Sequence, residues 1–466
     1  MTATRTGRVS GTRTVVIYLS LVVLPAAAAT ALLIAVGGGR GRAMSIAATV
    51  HPYARLFLAI ALIVVVCKAV GTLVAKVGQP AVVGEIAAGI LLGPTLLSSV
   101  SPAARQWLIP DPTLAQLQVL AQIGVVLFVF LAGLELDVAR LRGRGRLALV
   151  VSHVSIAAPF LLGVLLAVAA FARFSPPGVG FLPFALFLGV ALSITALPVL
   201  ARILLDLGMY HQRIGALVMT CALVDDVTAW ILLALVVAVA TASSVLGVLV
   251  TIVLTAAFAG VLWALRPALG RLLGADGGAG GRGALHLVLV GVLVAATCTE
   301  WIGVHAIFGA FLFGLALPRE SVVAKRVTSM IGGVTKTLLL PLFFAISGLS
   351  TDLRLLGIDG SLWGWCVLVV AVAVLGKFGG AVLSARAMGA PARTAGQIGA
   401  LMNCRGLTEL VVLDVGRQLG ILSPALFAIL VLMTLVTTAM AVPLVKLFRR
   451  GEQRDALDIH LGQPGC

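Results

Sequence analysis

The stretch "CALVDDVTAW", residues 221–230, sets two adjacent aspartates inside an apolar run that extends from Ile214 to Ala240. A run of that length crosses a hydrocarbon core of ~30 Å as a helix. A carboxylate near its centre is costly unless it is paired or wet. Comparable runs recur from one end of the chain to the other. Of 466 residues, 61% are hydrophobic and 11% charged, and the mean hydropathy is +1.15, whereas a soluble domain is about half apolar. The fold class is therefore an all-α polytopic membrane protein, because a helix pairs its own backbone polar groups where water is absent.

The apolar pattern predicts about fourteen spans of about 20 residues each, near 14–37, 54–75, 80–97, 116–136, 147–172, 180–204, 213–241, 244–265, 285–302, 303–318, 331–349, 361–385, 394–417 and 421–446. Glu300 and Gly303 suggest a tight outer turn between the ninth and tenth. The formal charge of +16 does not point to nucleic acid. Most of it falls in alternate loops, the arrangement expected of cytoplasmic segments: Arg5, Arg8 and Arg13 before the first span, Arg140, Arg142, Arg144 and Arg146 in "ARLRGRGR", Arg266, Arg271 and Arg282, then Arg319, Lys325 and Arg326, and finally Lys446, Arg449 and Arg450. Both termini then lie inside, with Arg40 and Arg42 as exceptions. The segment 14–37 reads as a retained helix rather than a signal peptide, since the apolar run continues to Val36 and positive charges follow. Cys67, Cys221, Cys298, Cys366 and Cys404 fall in spans without CxxC spacing, so neither a disulfide nor a resident metal is expected. No cofactor is expected either.

Counted by direction of crossing, the spans at 147–172, 180–204 and 213–241 are inverted with respect to those at 361–385, 394–417 and 421–446. Extended backward, they give two inverted six-helix repeats, 54–241 and 285–446, inside a membrane domain of 54–446. Residues 244–265 become a linker helix, residues 1–53 a cytoplasmic N-terminus with an extra helix, and 447–466 a short tail. Inverted repeats are a signature of secondary transporters. Matched spans also carry interruptions. "FALFLGVALSITALPVLARILL" brings Ser193, Thr195 and Pro198 to mid-span, and "IGALMNCRGLTELVVLDVG" brings Asn403, Arg405, Gly406, Thr408 and Glu409. Two crossed broken helices explain both, because a break tolerable in a membrane lines a protected cavity.

At about 1.5 Å per residue, Asp225 lies ~18 Å along a helix entered near residue 213, and Lys377 lies ~24 Å along one entered from the other side near residue 361. The depths permit a midplane pair. Such a pair uses one aspartate, and Asp226 points about 100° away around the helix. The spare carboxylate needs a partner that comes and goes. Burial disfavours a charged carboxylate and a nearby ammonium favours it, so a monovalent cation and a proton compete for the same oxygens. The ion-binding candidates are Asp226, Asp225, Thr195 and Ser193, with Lys377 as charge partner. Pro198, Asn403, Arg405 and Glu409 support the break, the last two as an i, i+4 pair. Glu85 and Glu135 either guard entry routes or hold helices together. His153 and His305 read as hydrogen-bonded packing residues. Lys68, Lys336 and Asp414 are close enough to span ends to snorkel.

The stretches "GQPAVVGEIAAGILLGPTLL" (78–97), "IGVVLFVFLAGLELD" (123–137), "SITALPVLARIL" (193–204), "VDDVTAWILLAL" (224–235), "LPLFFAISGLSTDL" (340–353) and "LMNCRGLTELVVLDVG" (401–416) resemble, in order, the signatures of the monovalent cation:proton antiporters. The resemblance is greatest to the branch of plant cation/H+ exchangers and Kef-type potassium transporters. It implies a sodium/proton antiporter-like fold and a homodimer whose core domain moves against dimer-forming helices. It also implies that the second aspartate, here Asp226, carries the ion and proton, and that Lys377 occupies the place of a lysine pairing with the first. Plant-like relatives often carry Asn where this chain has Asp225 and so resembles sodium exchangers with an Asp–Asp pair. Kef-type and plant-like relatives usually carry a long cytoplasmic regulatory region, which is not expected in a chain that stops about twenty residues after its last span. Na+ and K+ both remain open as the cation. The rival readings are a cation channel, in which the breaks line a continuous pore, and an intramembrane aspartyl protease. The protease is disfavoured because its carboxylates must face one water from separate helices, so no enzyme activity is expected.

Overall fold

The computed structural model describes residues 52–135, 145–210, 212–241, 244–274, 281–318, 322–357 and 360–461. The expected helix at 14–37, nearly all of the 1–53 segment, Arg140, Arg142, Arg144, Arg319 and the last five residues lie outside them. The described chain is helical: α1 Pro52–Lys76, α2 Ala81–Leu92, α3 Leu97–Val100, α4 Pro102–Leu108, α5 Asp111–Glu135, α6 Gly145–Phe174, α7 Phe181–Ser193, α8 Leu197–Asp206, α9 Arg213–Thr241, α10 Val245–Gly274, α11 Gly281–Ile302, α12 Ala306–Ala316, α13 Val322–Val334, α14 Leu340–Leu349, α15 Gly360–Val374, α16 Gly380–Ala387, α17 Ala392–Met402, α18 Leu407–Gln418 and α19 Pro424–Leu461. Eleven spans among the described residues are long and apolar enough to cross a membrane. With the short α12 and the divided α17 and α18, they account for each expected span from 54 to 446.

Several boundaries differ from expectation; the helix expected over 244–265, for example, runs to Gly274. The span expected over 80–97 stops at Leu92, where Gly93 turns extended; Pro94 follows and disfavours helical backbone in the residue before it. The one expected from 331 begins at Val322 and passes through a π-helical turn at Thr335–Leu339 before α14. The last helix continues past 446 to Leu461. The tight turn before α12 is present. Gly303 adopts φ +94, and Glu300 Oε2 accepts the N–H of Ala306 at 2.7 Å.

The helices form two bundles. In one, α1 packs on α2, α2 on α14, and α5 on α12 and α14. In the other, α6 packs on α7, α9 and α16, while α17 lies between α16 and α19. Small residues permit the closest crossing of the first bundle. A Cβ on Gly348 would meet the backbone of Ile86 and Ile90, and one on Gly89 would meet Ala345. Such close approach is how membrane helices gain contact where lipid supplies no hydrophobic drive. Trp230 joins the bundles, with its ring edge-on to Phe308 at 5.9 Å. It sits on the same helix as the two aspartates.

Candidate functional site

Both expected breaks are present, and they cross. α7 ends at Ser193 and α8 begins at Leu197, with Pro198 in its first turn where no amide donor is needed. α17 ends at Met402 and α18 begins at Leu407. Gly406 holds φ +152, and a Cβ there would lie 2.8 Å from Val199 Cγ2. Any other residue is strained at that position. The two breaks bond to each other through Ala196 N to Cys404 O at 3.1 Å and Thr195 Oγ1 to Met402 O at 3.0 Å.

Each break leaves a half-helix C-terminus whose carbonyls lack helical partners and carry partial negative charge. Cations meet them at the end of α7. Arg405 Nη1 donates to Ala191 O at 2.9 Å and Nη2 to Leu192 O at 2.5 Å, while Lys377 Nζ donates to Ser193 O. Arg405 also pairs with Glu409 at 2.8 Å, both side chains fully buried. Its own amide is met by Thr438 Oγ1 at 3.2 Å. Lys377 lies in a second π-helical turn, Leu375–Gly379, a local widening often found at functional sites.

Lys377 Nζ lies 2.6 Å from Asp225 Oδ2, and both side chains are fully buried. Asp225 receives two further donors, Ser152 Oγ on Oδ1 at 2.9 Å and Thr195 Oγ1 on Oδ2 at 2.8 Å, the single Thr195 proton being shared with Met402 O. The neighbouring Asp226 differs. Its Oδ1 is buried with no hydrogen-bond partner among the described residues, and the Thr408 hydroxyl faces its carboxylate. One aspartate is saturated; the other is open.

The expected site residues therefore meet at one crossing, with one change of role. The Ser193 hydroxyl bonds Gly189 O at 2.7 Å and Ile156 O at 3.1 Å, so its main-chain carbonyl, not its hydroxyl, touches the charged group. Ser152 and Thr438 were not singled out from sequence. The only signal for Ser152 is a hydroxyl three residues from Ser155 in an otherwise apolar span. His305 caps α12, accepting from Ile307 N at 3.5 Å, and lies 3.5 Å from Gln418 Oε1. His153 bonds Leu149 O of its own helix at 2.8 Å but is exposed, so the expected hydrogen bond is present and the expected packing inside the chain is not. Asp414 pairs with Arg417 at 2.8 Å. The five described cysteines are free, and no cluster of metal-ligand type occurs among the described residues.

A cavity of about 390 Å³ leads toward the crossing and is lined by Lys68, Thr72, Glu85, Pro198, Arg202 and Lys336, among others. It also touches Ala75, Pro80 and Leu407. It thus joins the loop after α1 to the first turns of α8 and α18.

A helical membrane bundle with two broken helices crossing over buried charges belongs to the class of secondary transporters. Known proteins agree with that class. The family model for the sodium/hydrogen exchanger transmembrane region matches residues 58–448. The Na(+)/H(+) antiporter NhaS4 of Synechocystis is 41% identical over 83% of this chain and 95% of its own length. The Cation/H(+) antiporter 19 of Arabidopsis thaliana is 39% identical over 86% of this chain, and the K(+)/H(+) antiporter 1 of Saccharomyces cerevisiae 33% over 86%. The chain spans about half the length of these last two, 50% and 47%. The fold resembles that of the sodium proton antiporter MjNhaP1 from Methanocaldococcus jannaschii, with a TM-score of 0.61 at 14% identity over 84% of this chain and 96% of that one. The chain belongs to the sodium/hydrogen exchanger family of cation/proton antiporters, which are transporters and not enzymes.

Proposed function

We propose that the protein exchanges Na+ or K+ for protons across the cytoplasmic membrane by alternating access, and that cation and proton compete for Asp226. The observation that carries this reading is the contrast between neighbours. Asp225 holds three donors, whereas Asp226 keeps a buried oxygen without one. An unpartnered carboxylate oxygen in a dry site is costly, and a proton or a partly dehydrated cation removes that cost in turn. The Asp225–Lys377 pair holds the crossing and supplies a third charged group to the exchange.

In this reading the repeats 54–241 and 285–446 provide the inverted halves, α10 links them, and both termini face the cytoplasm. The bundle containing α6 to α9 and α15 to α19 moves against the bundle built on α1, α2, α5, α12 and α14. The cavity beside Lys68 and Glu85 is the cytoplasmic entry. A homodimer formed through the bundle of α1, α2, α5, α12 and α14 gives the moving part a fixed frame.

The test is proton flux in proteoliposomes carrying a pH gradient, followed by an interior dye as Na+ or K+ is added outside, for wild type and Asp226→Asn. Saturable, cation-dependent dissipation that the variant lacks is the expected result and names the ion. Flux that does not saturate favours a channel, and full exchange by Asp226→Asn removes the site.

A further inference from the structure

The side chain of Asn403 presents a chemical problem that its position in the helix break does not solve. It is fully buried, and neither Oδ1 nor Nδ2 has a hydrogen-bond partner among the described residues. Leaving an amide unpaired in an apolar interior costs at least about 1–3 kcal/mol. Ser193, Thr195, Asp225, Lys377 and Thr438 each make hydrogen bonds to named partners, and Asp226, Arg405 and Glu409 each leave one buried polar atom without a partner among the described residues. Of the side chains at the crossing, Asn403 leaves both of its polar atoms so.

The usual structural reasons for asparagine at a helix end do not apply. Asn at a C-terminus commonly serves a left-handed backbone, but Asn403 has φ −79 and ψ 3, open to any residue. The free backbone groups of the break are met by others. Ala191 and Leu192 carbonyls go to Arg405, the Arg405 amide to Thr438, and the Cys404 carbonyl to Ala196. An apolar residue of the same size would fill the space without the cost.

The placement suggests what the amide is for. Residues 402 and 404 on either side contact Thr195 and Ala196 through their carbonyls, and Thr195 in turn bonds Asp225. Asn403 is therefore held in the stretch where the two breaks meet, two bonded steps from Asp225 through Met402 and Thr195. Three buried oxygens of the crossing lack a hydrogen-bond partner among the described residues, Asp226 Oδ1, Asn403 Oδ1 and Glu409 Oε1. Glu409 is already neutralised by Arg405 at 2.8 Å, which leaves Asp226 and Asn403 as the pair outside any ion pair. A hard monovalent cation takes neutral carbonyl and carboxylate oxygens together. We infer that Asn403 Oδ1 is a ligand of the transported cation, completing a shell begun by Asp226, and that it acts on cation affinity rather than on support of the break. This inference rests on the exchange proposed above.

The test compares wild type, Asn403→Leu, Asn403→Ala and Asn403→Ser in two measurements: cation-dependent proton flux in proteoliposomes, and the shift in thermal unfolding of the detergent-purified protein on adding NaCl or KCl against choline chloride. Loss of one ligand is expected to raise the cation KM about tenfold, the equivalent of ~1.4 kcal/mol, in Asn403→Leu, and to abolish the cation-specific Tm shift while the Tm in choline stays level or rises. If Asn403→Leu does not fold, the same contrast is read between Asn403→Ala, which loses the oxygen, and Asn403→Ser, which restores one. A wild-type KM with a lowered choline Tm means the amide is satisfied by water and only supports the break, which overturns the inference and leaves the exchange intact. A wild-type protein unresponsive to both cations overturns the exchange itself, and the inference with it.

Discussion

Lys377 Nζ and Asp225 Oδ2 lie 2.6 Å apart with both side chains fully buried, while Asp226, one residue along the same helix, has a buried oxygen without a hydrogen-bond partner among the described residues. Adjacent residues thus occupy different electrostatic situations, because about 100° of helical rotation turns one carboxylate to Lys377 in its π turn and Ser152 on α6 and the other to Thr408 on α18.

The first prediction concerns that pair. Removing one partner strands the other charge, which costs about 3–5 kcal/mol in a buried site. Asp225→Asn and Lys377→Met should each lower the Tm markedly, whereas the double variant should recover much of the loss. A double-mutant cycle by thermal unfolding gives the coupling. Additive losses would show that each residue acts through its other bonds, Lys377 through Ser193 O and Asp225 through Ser152.

Arg405 makes a second, independent prediction. Its planar guanidinium reaches two α7 carbonyls and Glu409 at once, which a lysine's single ammonium cannot do. Arg405→Lys keeps the charge but drops at least one charge-assisted bond, for an expected loss of about 2–3 kcal/mol. Unfolding in detergent measures it. An unchanged Tm would show that charge alone, not the fork, neutralises the end of α7.

Much of this was legible before the fold was known. Pro198 and the run from Asn403 to Glu409 marked both breaks, and the rise of a helix placed Asp225 and Lys377 at one depth. The Arg405–Glu409 pair followed from its spacing of four. The partners that escaped are those supplied by distant chain. The Ala191 and Leu192 carbonyls have no side-chain signal, and Ser152 is one hydroxyl in a long apolar helix whose facing direction periodicity does not determine. The π turns at Thr335–Leu339 and Leu375–Gly379 also left no trace, because a single inserted residue shifts the face of a uniformly apolar span without altering its composition.

Gly348 gives a packing prediction. A methyl group there would run into the backbone of α2, and backbone does not yield as a flexible side chain does. Gly348→Ala should cost about 1–3 kcal/mol or more, and it should impair the bundle built on α2 and α14 without touching any charged residue. The Tm should fall while the cation KM of the folded fraction stays near wild type. A changed KM at unchanged Tm would mean that the α2–α14 crossing takes part in the ion path.

The last prediction fixes the side from which the site is reached. The cavity is lined by Thr72 and Ala75 of α1 on one flank and by Pro198 and Leu407 at the starts of the half-helices on the other. Its outer end lies near the loop after α1, where a Cβ on Gly78 would come within 3.6 Å of Lys446 Nζ, among charges whose pattern predicts the cytoplasmic face. In a protein stripped of its native cysteines, Thr72→Cys and Ala75→Cys should react with a membrane-impermeant thiol reagent in inside-out vesicles and stay unmodified in right-side-out ones. Adding the transported cation should slow the reaction if occupancy closes this route, since a ligand shifts a two-state equilibrium only by binding one state better. Labelling from the outer face would reverse the orientation, and labelling from both faces at equal rates would replace alternating access with an open pore.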